Sequence, residues 1–267
     1  MFFLLKCCLL ISFSFLTIQA NEGEETRQQD GFLVRVARAS QNFSYNMMAQ
    51  TCWDSIVDGF QPGRKIALSQ LDIQPSDRLL FIGEGSGLDF DVLPEGISLD
   101  KIKAFDFSPQ MVAKAKRKAI QIGIPEENCF VADAQALPFT EEKFDKIYFP
   151  LSLGSIPNPK LAIQEAERVL ETNGKIVLFE KLLDDGQQPS GGRRVLNSIT
   201  RFVFADINRN LTQILDGSQL RIVHYQSLEG QLIGWFASTA APYYRIATLV
   251  RSDEHTELLS VPAQIQR

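Results

Sequence analysis

Three glycines at alternate positions, Gly83, Gly85 and Gly87, directly follow the apolar run of residues 79–82. The run predicts a buried strand, and glycine lets a loop backbone come close to a ligand because it has no Cβ and tolerates positive φ. The spacing differs from the dinucleotide pattern G-x-G-x-x-G, since Leu88 stands where the third glycine would fall. A phosphate loop would continue with Lys and then Ser or Thr, whereas here Leu88-Asp89 follow. The loop favours a nucleoside ligand without a pyrophosphate, with a tight strand–helix turn as the alternative.

Two carboxylates, Asp106 and Asp133, stand at the ends of the next two predicted strands. In open α/β sheets, ligands bind at the carboxyl ends of the strands. Asp106 lies about twenty residues beyond the loop, where an acid can accept hydrogen bonds from two ribose hydroxyls. Asp133 can accept a hydrogen bond from an exocyclic adenine amine. Asp106 could instead simply precede the Ser108 cap, and Asp133 could be a turn residue, but three such features at equivalent strand ends predict a nucleoside site.

These residues need a scaffold in which strands and helices alternate with short connections. Apolar runs predict strands at residues 78–82, 101–107, 129–131, 144–149 and 175–179, after helical patterning that runs with breaks from Gly31 to Gln70. Ser108-Pro109 and Asn158-Pro159 predict helix starts, leading to helices over 110–122 and up to residue 170. The alternation predicts an α/β fold with a mostly parallel sheet. Residues 220–225 and 243–250 predict two strands without a helix between them, and these complete the sheet as an antiparallel C-terminal pair.

Composition limits the other possibilities. The chain has 267 residues and a net charge of −5, so it has no overall basic character that would attract nucleic acid. Its two histidines and four cysteines show no metal-ligand spacing. Cys52 and Cys129 are predicted to be free thiols, unless export places them where a disulfide can form. We expect a segment at 1–20, a linker at 21–30, one domain at 31–252 and a tail at 253–267.

The segment at 1–20 is strongly apolar, with Lys6 near its start and three glutamates soon after Ala20. This pattern is typical of a secretory signal peptide cut after Ala20, or of an uncleaved anchor with its N-terminus in the cytoplasm. Both readings place the domain on a membrane or outside the cytoplasm. A mis-assigned start codon is the third reading, and it would leave the protein cytoplasmic.

Several segments together resemble a known family. The stretches at 133–139 (DAQALPF), 144–145 (FD) and 165–170 (EAERVL), with 173–175 (NGK), are similar to a signature of the ubiquinone/menaquinone and phospholipid methyltransferases. Those are class I S-adenosylmethionine-dependent methyltransferases, and 106–111 (DFSPQM) is similar to another of their motifs. The resemblance covers about residues 45–250, and 151–157 favours the bacterial phosphatidylethanolamine N-methyltransferase branch.

The resemblance implies a Rossmann-like doubly wound sheet and S-adenosylmethionine as the cofactor. It implies that the cofactor contacts Tyr45, Gly83, Glu84, Gly85, Gly87, Asp106, Phe107, Asp133 and Ala134. The residues expected to face the methyl acceptor, with loop packing as the alternative, are Tyr148, Pro150 and Ser152. Neither a catalytic side chain nor a metal is implied, because the sulfonium is already a strong donor and proximity carries much of the rate.

One departure weakens the resemblance. The family usually has an acid at the position of Phe81, where it contacts the amino group of the cofactor. Either Glu84 supplies that charge or the cofactor binds weakly or not at all. The leading hypothesis is methyl transfer to a small-molecule or lipid acceptor such as a phospholipid amine, and the rival is a non-catalytic binding protein of the same fold. A protein or nucleic-acid acceptor is a third option, of which the net charge disfavours nucleic acid.

Residues 193–208 predict an amphipathic helix with an apolar stripe and flanking arginines. Such a helix can lie on a membrane surface or cover the acceptor pocket. The alternative is an ordinary helix of the core.

Overall fold

The computed structural model describes residues 58–203, 205–232 and 243–252. The predictions for residues 1–20, for the linker at 21–30, for Tyr45 and for the tail at 253–267 lie outside the described residues. Among the helices of these ranges, none combines the length and the apolar character that crossing a membrane requires.

The centre of the fold is one mixed β-sheet. Its strands are β1 (Leu79–Ile82), β2 (Ile102–Asp106), β3 (Cys129–Val131), β4 (Phe144–Pro150), β5 (Leu170–Leu183), β6 (Arg209–Asn210), β7 (Leu220–Ser227) and β8 (Tyr244–Arg251). The order across the sheet is β3-β2-β1-β4-β5-β8-β7, with β6 paired to the end of β5. Strands β1 to β6 pair in parallel, and β8 is antiparallel to both β5 and β7. This confirms the predicted α/β fold and its antiparallel C-terminal pair.

The described residues form five α-helices, two of which begin where local sequence signals place them. They are α1 (Gln61–Leu71), α2 (Pro109–Ile122), α3 (Pro159–Val169), α4 (Gly191–Val203) and α5 (Leu211–Leu215), joined by short 3-10 helices. The Ser108 side chain accepts a hydrogen bond from Met111 N and Pro109 occupies the first turn of α2. Asn158 caps α3 in the same way, by accepting from Leu161 N. These capping predictions are confirmed.

Apolar side chains fill both faces of the sheet. On one face, Phe81 and Tyr148 belong to a buried cluster with residues of α1 and α2. On the other, Ile82 and Phe149 pack with residues of α3 and α5. The central strands are therefore buried on both sides, as expected of a doubly wound sheet.

Strand β5 differs from its prediction. The sequence Thr172-Asn173-Gly174 predicts a turn before a strand at 175–179, but the structure has one strand from Leu170 to Leu183. Leu170 pairs with Phe144 and Lys175 with Lys146, so the residues between them bulge out of the pairing rather than interrupt it. The C-terminal end is longer because β8 and β6 both pair with it. Helix α4 is shorter than the predicted 193–208, since it ends at Val203.

Candidate functional site

The glycine loop leaves the carboxyl end of β1, beside β4, where the order of the parallel strands reverses. Ligands of open α/β sheets bind at this switch point. Gly83, Gly85 and Gly87 all have positive φ, at 74°, 65° and 83°. The amides of Gly83 and Glu84 both donate to the carbonyl of Phe105, at 2.9 and 3.0 Å. The loop is therefore held against β2 in a conformation that favours glycine.

The three glycines differ in what surrounds them. A Cβ at Gly83 would lie 2.4 Å from the Cβ of Ser152, and one at Gly87 would lie 3.1 Å from the Cα of Ala115. A Cβ at Gly85 would have nothing within 4 Å. Packing thus excludes side chains at the outer two positions, whereas Gly85 borders open space. The central glycine presents the free backbone surface that a ligand needs.

Asp106 joins this loop to helix α2. Its Oδ2 accepts from the amide of Gly85 at 3.0 Å, and its Oδ1 accepts from the amide of Ser108 at 2.8 Å. Burial raises the pKa of Asp106 to about 6, although these backbone hydrogen bonds oppose the shift. Each carboxylate oxygen can accept a further hydrogen bond, so the position suits both the loop and a ribose. Beside it, the ring of Phe107 is 41% exposed.

Asp133 lies just beyond β3, in a turn closed by a bridge to Ala136. Its Oδ1 accepts from the backbone amide of Gln135 at 3.0 Å and from the Gln135 side-chain amide at 2.9 Å. Ala134 is buried in the core with Leu137. The end of β3 therefore brings Asp133 and Ala134 to the same edge of the sheet as Asp106.

The segments that carry the family resemblance contact one another. Glu165 of α3 accepts from the amide of Leu137 at 2.8 Å, and Arg168 donates to the carbonyl of Phe139 at 2.7 Å. Arg168 also pairs with Glu165 at 2.8 Å. Helix α3 thus holds the segment at 133–139 in place.

A buried polar cluster lies behind the glycine loop. Arg64 of α1 forms an ion pair with Asp89, and both side chains are almost fully buried. Glu84 accepts from the amide of Asp89 at 3.3 Å through Oε1, while its Oε2 has no hydrogen-bond partner within the described chain. Burial, reinforced by the charge of Asp89, raises the pKa of Glu84 well above its usual value. Glu84 also lines a narrow crevice together with Gly85, Asp106 and Val112.

Sequence reasoning missed Arg64 and Asp89. They are 25 residues apart, and no local pattern marks one as the partner of the other. Burial also raises the pKa of the Asp89 carboxyl, against the lowering effect of Arg64.

Phe81 and Tyr148 share the core on that side of the sheet. The ring of Phe81 meets those of Phe90 and Tyr148 edge to face, with centroids 5.7 and 5.6 Å apart. Tyr148 has no exposed surface, so the prediction that it faces the acceptor is wrong. Burial raises the pKa of its phenol well above the usual value, as does the nearby charge of Asp89. The reason for the error is that β4 is buried on both faces, so every side chain of its second half points into a core.

The other two predicted acceptor residues lie next to the glycine loop. Pro150 ends β4 and is buried. The Ser152 hydroxyl donates to the carbonyl of Ile82 at 2.6 Å. Between them, Leu151 has a φ of 58°, in the left-handed region that non-glycine residues rarely adopt. The segment at 151–156, called the acceptor loop below, is thus fastened to β1 at the point where the glycine loop begins.

Glu180 of β5 fastens the acceptor loop from its other side, and the sequence offers no signal for this role. It is 1% exposed. Its Oε2 accepts from the amide of Gly154 at 2.9 Å, and its Oε1 from the amide of Lys181 at 2.8 Å. The amide of Asp206 in turn donates to the carbonyl of Gly154 at 2.8 Å. The described part of the chain holds no cluster of three or more side chains placed to ligate a metal ion.

Comparison with known proteins agrees with this geometry. Residues 80–178 match the family model described as a methyltransferase domain. A phosphatidylethanolamine N-methyltransferase of Cereibacter sphaeroides is 28% identical over 109 residues, which are 40% of this chain and 52% of that protein. A demethylmenaquinone methyltransferase of Renibacterium salmoninarum is 30% identical over 117 residues, 44% of this chain and 46% of that protein. The chain spans about half the length of these curated relatives.

The fold extends further than the sequence similarity. A chain of the complex between the Haloferax volcanii Trm112 methyltransferase activator and a methyltransferase aligns with a TM-score of 0.62 at 17% identity. The alignment covers 78% of this chain and 98% of that one. Fold and site together define a Rossmann-like domain with a ligand edge at its switch point. Over residues 80–178 the chain is similar to methyltransferase domains, and its fold is that of the aligned methyltransferase chain.

Proposed function

We propose that this chain transfers a methyl group from S-adenosylmethionine to a small-molecule or lipid acceptor. The observation that carries the proposal is the glycine loop, whose central residue Gly85 borders open space while Asp106 accepts from its amide. A ligand can therefore approach the backbone at Gly85 without displacing a side chain.

The residues at this edge suit the parts of the cofactor. The glycine loop would hold the methionine end, Asp106 the ribose hydroxyls, and Phe107, Asp133 and Ala134 the adenine. When bound, S-adenosylmethionine supplies an electrophilic methyl group on a sulfonium. The chain then has to orient the acceptor in line with that group and exclude water, since proximity carries much of the rate. The acceptor loop, fastened by Ser152 and Glu180, lies where it can do so.

Two acceptor classes follow from the named relatives, a phospholipid amine and a quinone. An amine attacks only when it is neutral, so a site for it should disfavour protonation by removing it from water. Transfer of a radioactive methyl group to phosphatidylethanolamine and to demethylmenaquinone, each presented in vesicles, distinguishes the two classes. If neither lipid is methylated, both acceptor classes are excluded. The binding of S-adenosylmethionine is measured separately by calorimetry.

The rival function is a binding protein without turnover. It is favoured by Phe81, which packs against Tyr148 in the core at the position where the sequence resemblance predicts an acid, and by Glu84, which is buried. Calorimetric titration of the full chain with S-adenosylmethionine tests both functions. We expect micromolar affinity, and a loss of at least about tenfold for Asp106→Asn, because a ribose acceptor is lost. Asp100→Asn, at an exposed position outside the site, is the matched control. Millimolar or absent affinity in the unmodified chain would refute the catalytic proposal.

We also propose that residues 1–20 act as a signal peptide or a membrane anchor, because Lys6 precedes the apolar run and glutamates follow it. Mass spectrometry of the mature N-terminus in the native host tests this. A start at residue 21 indicates cleavage, and an intact residue 1 in a membrane fraction indicates an anchor. An intact residue 1 in the soluble fraction would refute both.

A further inference from the structure

Helix α4 contacts the rest of the domain through polar side chains. Arg193 donates through Nε to the side chain of Asn208 at 2.9 Å and through Nη2 to the carbonyl of Ile207. One turn later, Asn197 accepts from the amide of Ile207 at 2.7 Å. Residues four apart lie on the same face of a helix. The face that α4 turns toward the domain is therefore polar.

Two apolar residues of α4 are exposed. Val195 is 67% exposed and Leu196 is 52% exposed. In the sequence, apolar residues recur at 195, 196, 199, 202 and 203, the spacing of one helical face. A helix of a water-soluble domain normally buries its apolar face and exposes its polar one. In α4, by contrast, Val195 and Leu196 are exposed while Arg193 and Asn197 bond to the domain, and exposed apolar surface of this kind marks a contact with a partner or a membrane.

The local charge favours an anionic partner. Residues 190–210 contain four arginines and one aspartate, a local net charge of +3 in a chain whose overall charge is −5. Arg194, next to the apolar pair, is exposed. Arg193 stacks on the ring of Tyr243, 4.5 Å from its centroid, and that ring is itself 48% exposed. An apolar stripe, arginines and an aromatic ring at the boundary are what a helix in the headgroup layer of an anionic bilayer presents.

The helix is also connected to the candidate site. The segment that follows α4 hydrogen-bonds to the acceptor loop, through Asp206 N and Gly154 O. The same loop reaches the start of the glycine loop through Ser152. A surface that contacts α4 therefore lies on the acceptor side of the sheet.

We propose that α4 lies in the headgroup layer of a membrane containing anionic lipids, with Val195 and Leu196 toward the acyl chains. The acceptor would then come to the site from that membrane. The delivery of the acceptor from the membrane rests on the proposed function, whereas the docking of α4 does not.

Depth-dependent fluorescence quenching tests the docking. The full chain carrying Leu196→Trp is mixed with vesicles of phosphatidylcholine and phosphatidylglycerol whose acyl chains are brominated, in the absence of methyl donor. We expect the added tryptophan to lose at least about half of its emission, because an interfacial helix buries its apolar face at the acyl boundary. On phosphatidylcholine vesicles without the anionic lipid, the lipid concentration that gives half of the maximal quenching should be at least about tenfold higher.

The matched control is Leu161→Trp, on the electrically neutral helix α3, where the native side chain is 43% exposed. Both variants keep residues 1–20 and the native tryptophans, so tethering through the N-terminal segment affects them alike. Equal quenching of the two variants, or no quenching of either, would overturn the proposal. The membrane proposal would also be overturned if vesicles caused no quenching and the chain self-associated in a way that Leu196→Glu abolishes. That result would assign the exposed face of α4 to a second copy of the chain. Because no methyl transfer is measured, failure of the proposed function does not alter this result.

Discussion

Substituting the first and the central glycine of the loop separates packing from ligand binding. Gly83→Ala places a methyl group 2.4 Å from the Cβ of Ser152, at a φ of 74°. A left-handed conformation costs a non-glycine residue about 1–2 kcal/mol, and overpacking a filled site costs about 1–3 kcal/mol. The free energy of unfolding should therefore fall by about 2–5 kcal/mol, a large part of the stability of a typical domain.

Gly85→Ala should behave differently. Its φ is 65°, but a Cβ there meets nothing within 4 Å. Only the conformational cost applies, so the free energy of unfolding should fall by about 1–2 kcal/mol. The affinity for S-adenosylmethionine should nevertheless fall at least about tenfold, because the methyl group occupies the space where a ligand approaches the backbone.

Urea denaturation measures the stability of both variants, and calorimetric titration measures donor affinity in the folded protein. The double variant Gly83→Ala/Ser152→Gly removes the colliding Cβ and should recover about 1–3 kcal/mol relative to the sum of the single changes. Equal destabilisation by the two alanines would refute the packing argument. Retention of full donor affinity by Gly85→Ala would refute the assignment of Gly85 to the ligand surface.

Three further predictions concern the charged groups. Because its pKa is raised in the folded protein, the Asp106 carboxyl stabilises the fold below pH 4, and this contribution is lost as the pH rises through about 6. The affinity for S-adenosylmethionine should change in the opposite sense and fall below pH 6 in calorimetric titrations. Asp106→Asn should remove the pH dependence of that affinity. Arg64→Met leaves Asp89 buried without its partner and should cost about 3–5 kcal/mol in urea denaturation. Adding Asp89→Leu should restore most of this loss; no restoration would contradict the pairing. Glu180→Gln replaces one of the two oxygens that accept from the amides of Gly154 and Lys181 with a donor, which should cost about 1–3 kcal/mol. Unchanged stability would show that these two amides do not both need an acceptor.

Local signals predicted much of this structure. Ser108 and Asn158 cap their helices because a short polar side chain can accept from an amide three residues ahead. The alternate glycines predicted a loop that only glycine tolerates, and Asp106 and Asp133 at strand ends follow from the parallel sheet. These features depend on a few neighbouring residues, so a single sequence suffices to find them.

The predictions from sequence were wrong where the structure depends on a contact between distant residues or on the burial of a strand on both of its faces. Nothing in Phe149 or Tyr148 indicates which face of a doubly covered strand each side chain takes. The polar side of α4 turns inward because residues ten to fifteen positions later supply its hydrogen bonds. The pairing of β5 with β4 carries it through a sequence that by itself predicts a turn.

The hydrogen bonds from Ile82 through Ser152 and Gly154 to Asp206 have a thermodynamic consequence. They connect the backbone beneath the glycine loop to the segment that follows α4, so ordering one end restricts the other. Coupling between two binding events is reciprocal. If vesicles strengthen the binding of S-adenosylmethionine by some factor, S-adenosylmethionine must strengthen the binding of vesicles by that same factor. A protein built in this way would take up its donor most tightly at the membrane surface and leave that surface most readily once the donor site is empty.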